Sequence, residues 1–137
     1  MHTALLLIAH GSREPEANAD LHHVVEALRG RKAFALVEAC FLELAEPDID
    51  AGAARCVAHG AGRVLLVPYF LSAGVHVRRD LTQAHSRLSE RFPRVEFCLA
   101  DPLGRHPLLV DVVVDRAREA ERDRVIADRC AGKETTL

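Results

Sequence analysis

The chain has no tryptophan, one tyrosine and one methionine. Little aromatic surface is therefore present for bases to stack on. There is no basic excess either: 18 Lys and Arg face 20 Asp and Glu, giving a formal net charge of −2 with histidine neutral. Both absences argue against a nucleic-acid partner. The four cysteines (Cys40, Cys56, Cys98 and Cys130) show no C-x-x-C spacing. They are read as reduced thiols, without a disulfide framework or a structural zinc site. No apolar run approaches the roughly 18 residues of a membrane span. Met1-His2-Thr3-Ala4 is not a basic leader, so a cytoplasmic protein is expected.

What is present is a core. Hydrophobic residues make up 49% of 137 residues, enough for one compact domain. Apolar runs alternate with helical patterns: strand 3–9, helix 14–29, strand 33–42, helix 49–59, strand 63–71, helix 76–91, strand 95–99, helix 106–122. This alternation predicts βαβ units and an α/β fold with a four-stranded parallel sheet, order 2-1-3-4, and helices on both faces. Near-continuous apolar strands fit burial on both sides. Gly30 is expected to stop the first helix, Gly60 and Gly62 the second, and Asp48 or Asp50 to cap the second. Residues 1–118 read as the domain. Residues 119–137 read as a charged helix end and tail with an isolated Val125-Ile126 pair.

Three strands end in chemistry. His10 closes Ala4-Leu5-Leu6-Leu7-Ile8-Ala9, Glu43 closes the second run, and His76 lies just past the third. In parallel sheets ligands bind at the carboxyl ends of the strands. Two imidazoles and a carboxylate there suit a borderline divalent metal. After His10, Gly11 permits a tight turn and Ser12 is expected to cap the first helix. Tyr69, Phe70, Leu71, Ser72, Ala73, Gly74 and Val75 form an apolar, flexible loop suited to a flat hydrophobic ligand. Arg78 and Arg79 follow in a first helical turn, where they oppose the helix dipole unless an anion offsets them. Glu46 is read as loop support. His2, His22, His23, His59 and His85 are read as structural, and His106 as a residue that could border the site.

These motifs carry a resemblance. Ala9-His10-Gly11-Ser12-Arg13, the segment Phe41 to Pro47, and Pro68 through Leu81 closely resemble the CbiX-type sirohydrochlorin chelatases, small class II chelatases. The likeness spans about residues 3–118, and Pro102 to Pro107 fits as well. It implies a half-size chelatase, flavodoxin-like domain and insertion of Co²⁺ or Fe²⁺ into sirohydrochlorin without ATP, for cobalamin or sirohaem synthesis. The lack of a P-loop agrees. By this resemblance His10, Glu43 and His76 are the metal and proton-transfer residues. Ser12, Arg13, the 69–75 loop, Arg78 and Arg79 hold the macrocycle. No cofactor is permanently bound, since the metal is a substrate. Longer family members carry two such domains in one chain, so this one implies a homodimer. The alternative is a non-catalytic metal or tetrapyrrole binder of the same fold. Phosphoryl transfer on His10 is disfavoured, because histidine phosphatases place Arg before that His and here it is Ala9.

Overall fold

Strands and helices alternate strictly: β1 (His2–Ala9), α1 (Pro15–Arg31), β2 (Leu36–Phe41), α2 (Ile49–Ala58), β3 (Ala61–Pro68), α3 (Val75–Arg91), β4 (Glu96–Leu99) and α4 (Leu108–Cys130). The structure, a computed structural model, describes residues 2–130, with side chains through residue 124. All four strands pair parallel in the order β2-β1-β3-β4, as the sequence predicts.

The sheet's two faces follow from the period-2 alternation of β1. Ala4, Leu6 and Ile8 point to one face, where they pack with Cys56 of α2 and Leu81 and Leu88 of α3. Leu5 and Leu7 point to the other and meet Leu21 and Val25 of α1. β1 is buried from Ala4 to Ile8 because it lies between β2 and β3 with helices on both faces. Gly52 of α2 sits hard against β2: a Cβ there would come within 2.9 Å of the Cys40 Cβ. Cys40 and Cys56 are free and buried. Burial pushes both thiols up, Cys56 to about 12.

Several boundaries differ from the sequence reading. α1 runs through Gly30 to Arg31, and its left-handed cap is Lys32, whose N–H donates to the Arg29 carbonyl. Ser12 does not cap α1. Its hydroxyl accepts from Glu14 N at 3.0 Å, two residues too early, and the helix N-cap residue is Glu14 with no side-chain bond. α2 is capped by Asp48, which accepts from Ala51 N at 2.8 Å. Gly60 takes φ +94 after α2, whereas Gly62 already lies in β3. β2 begins at Leu36, the first residue with a β1 partner.

The chain divides into two compact units, residues 1–103 and 104–137. The sheet and α1–α3 belong to the first. α4 belongs to the second and runs past residue 118 without a break. His106 caps it, Nδ1 accepting from Leu108 N at 3.2 Å. Among the described residues, no helix is long and apolar enough to cross a membrane. Residues 131–137 and the Val125-Ile126 side chains lie outside those described.

Candidate functional site

The end of β1 is the anchor of the site. Its last carbonyls hold both neighbouring segments. Ile8 O accepts from Tyr69 N at 2.7 Å, Ala9 O from Leu42 N at 2.9 Å, and His10 O from Glu43 N at 3.1 Å. Pairing thus continues past the regular strands and brings the Glu43 and Tyr69 segments beside His10. The next residue, Gly11, has φ +92. A Cβ there would lie 1.8 Å from the Glu43 carbonyl oxygen. Only glycine fits both the turn and that close approach.

The loop after β2 is closed by its own backbone: Phe41 N donates to Pro47 O at 2.9 Å. Glu46 is exposed and makes no hydrogen bond or ion pair among the described residues, so the support expected of it comes from main chain instead. The loop after His10 is held by Asn18. Its side-chain amide brackets Ser12, accepting from Ser12 N at 3.0 Å and donating to Ser12 O at 2.8 Å. Nothing in the sequence pattern singled out Asn18, because its role depends on a loop conformation.

His10 is exposed, and its ring lies 4.4 Å from that of Phe70 at an interplanar angle of 31°. Phe70 in turn packs against the core on the α2–α3 face. It therefore orients His10 rather than forming an open wall. Tyr69 packs half-buried on the opposite face. In the segments that follow β2 and β3, Leu44, Leu71 and Val75 are exposed, at 52%, 65% and 78%.

His10 and Glu43 line one open cleft of about 320 Å³ between the strand ends and α3. Asp80, Gln83 and Arg87 of α3 face it too. Arg87 also pairs with Asp50 of α2 at 3.1 Å. Asp80 has no partner among the described residues. The sequence held a signal for it: Asp80 follows His76 by four residues, on the same helical face. A second cleft, on the α1 side, is lined by His10, Gly11, Ser12 and Tyr69. His10 therefore stands between two openings.

His76 is exposed in the first turn of α3 and does not line the His10–Glu43 cleft. Its Nδ1 lies 2.7 Å from Arg79 Nη2. Arg78 is tied to the preceding loop, Nε donating to Ala73 O at 3.1 Å. Arg13 is exposed, without a partner among the described residues. Among those residues no group of three or more His, Cys, Asp or Glu side chains is gathered for a metal ion. His10 and Glu43 come together, and His76 stands apart from them.

Three of the other histidines make local structural contacts. His59 donates to Arg55 O behind α2, His85 bonds Phe97 O between α3 and β4, and His22 meets Phe41 edge-on.

Comparison with known proteins gives one direction. The CbiX family model matches residues 4–120. The chain is 33% identical over 121 residues to a sirohydrochlorin ferrochelatase of Priestia megaterium, covering 88% of this chain and 46% of that one. It is 34% identical to a sirohydrochlorin cobaltochelatase of Sulfolobus acidocaldarius, covering 85% of this chain and 90% of the relative. The sirohydrochlorin chelatase SirB of Bacillus subtilis, solved in complex with cobalt, superposes with a TM-score of 0.79 at 29% identity, over 87% of this chain and 51% of that one. The chain spans about half the length of several curated relatives it matches.

Proposed function

The chain belongs to the CbiX family, and from that premise we propose that it is a sirohydrochlorin chelatase, inserting Co²⁺ or Fe²⁺ into the macrocycle without ATP for cobalamin or sirohaem synthesis. The observation that carries the reading is the anchoring of His10 beside Glu43 at the end of the central strand. They share an open cleft, and exposed apolar residues lie in the segments that follow β2 and β3.

Metallation exchanges two pyrrole N–H protons for one divalent ion. The ion is a substrate and must be handed on. In this reading the neutral imidazoles of His10 and His76 bind it as it loses water; Glu43 accepts one of the two pyrrole protons, and the other passes to an imidazole that has released the ion or to solvent water. A loosely disposed donor set suits transfer better than storage, because a closed tetrahedral site would retain the metal. Leu44, Leu71 and Val75 offer apolar contact to a flat ring. Ser12, Arg13, Arg78 and Arg79 would meet the carboxylates at its rim. The free thiols described are compatible with a reducing cytoplasm.

We also propose a homodimer. Support comes from α4. Its segment Leu108-Leu109-Val110-Asp111-Val112-Val113-Val114 is nearly continuous in apolar residues, five of them exposed. An exposed apolar helix surface of this kind marks an association site.

The test is direct. Protein is mixed with metal-free sirohydrochlorin and Co²⁺ or Fe²⁺, without ATP, and the macrocycle absorbance is followed. Metallation faster than in the protein-free control is expected. Tight binding of the macrocycle with no acceleration would favour a carrier of the same fold.

A further inference from the structure

The contact between Arg79 and His76 has a fixed direction. A guanidinium has donors only, so Arg79 Nη2 donates and His76 Nδ1 accepts, at 2.7 Å. A neutral imidazole has one ring lone pair for such a bond, and its other nitrogen carries the proton. A metal ion needs that same lone pair. In this arrangement the lone pair of His76 is committed to Arg79, and metal and guanidinium compete for it.

Arg78, one residue earlier, is spent on a backbone carbonyl of the loop. Arg79 has no carboxylate partner among the described residues. Its fork is exposed, and carboxylates are its best partners because they accept two of its bonds at once. A carboxylate arriving on a macrocycle rim would outcompete a single imidazole nitrogen.

We infer that Arg79 is a positioning residue that keeps His76 from binding metal until a substrate carboxylate draws the guanidinium away, so that metal is ligated with the macrocycle in place. This rests on the reading of His76 as a metal ligand. The consequence is an order of binding, macrocycle before metal, built into one turn of α3.

The experiment uses Co²⁺ alone, titrated calorimetrically into the wild-type protein and the variants Arg79→Gln, Arg78→Gln, His76→Ala and His76→Ala/Arg79→Gln. Both arginine variants lose one positive charge from the same turn, so Arg78→Gln measures the general charge effect. Arg79→Gln should bind Co²⁺ more tightly than Arg78→Gln by roughly two- to tenfold, the range of an exposed charge-assisted hydrogen bond. The excess should vanish in the His76→Ala background. ¹⁵N spectra should show His76 Nδ1 unprotonated in the wild-type protein and a mixture of tautomers in Arg79→Gln. Equal affinities of the two arginine variants, or a gain that survives loss of His76, overturn the inference and leave the chelatase reading standing. If His76→Ala/Arg79→Gln binds Co²⁺ as tightly as Arg79→Gln does, His76 is not a ligand, and the reading beneath the inference falls with it.

Discussion

Gly11 shows how one residue fixes the relation between two functional groups. It follows His10 directly, its φ is +92, and the Glu43 carbonyl occupies the space a side chain would fill. Gly11→Ala should therefore push the Glu43 segment away from His10. The strain is expected to cost about 1–3 kcal/mol of stability. Turnover should fall at least about tenfold, since small misplacements of reacting groups are expensive. Urea denaturation and metallation rates check both, and a variant matching the wild-type protein in each would contradict this account of the turn. The glycine was legible in the sequence as a tight turn. Its close approach to Glu43 was not, because that depends on how β1 and β2 pair. Asn18 was illegible for a similar reason: its amide brackets a backbone segment six residues away.

At the scale of elements, the sequence was read most successfully where burial dominates. β1, β2 and β3 are covered on both faces, so their apolar runs stand out, and the strand order follows from where the histidines lie. It was read less well where hydrogen bonds decide. β3 ends at Pro68 rather than residue 71, because Phe70 turns to pack beneath His10 and its carbonyl accepts from Leu103 N. The contact of β2 with α2 carries its own prediction. Cys40 and Cys56 are desolvated there, and their thiols are pushed well above the ordinary value of 9.0. With folded pKa values raised, both thiols keep their protons above pH 9 while the unfolded chain loses them. Stability is therefore complete below about pH 9 and falls as pH rises toward the folded values, by roughly 1 kcal/mol per pH unit for each thiol. Chemical denaturation from pH 8 to 11 measures the slope. Cys56→Ala should reduce it, and an unchanged slope would show that Cys56 does not ionise on unfolding.

For the whole molecule, α4 carries the association prediction. A single chain has a mass of 15.1 kDa, and sedimentation should give twice that. Val113 is 68% exposed, and Val113→Asp should shift the species to the mass of one chain without unfolding it. A wild-type protein that sediments as one chain at micromolar concentration would exclude the dimer. The family membership and the parallel fold stand independently of that result. The assignment of metal transfer to His10, Glu43 and His76 is tested most directly by one measurement: the metallation rate of sirohydrochlorin with Co²⁺ in wild-type, His10→Ala and His76→Ala proteins of equal thermal stability. Both replacements lie at exposed positions, so the fold should persist while the rate falls by about two orders of magnitude or more. Metallation at the wild-type rate by both variants would contradict the assignment.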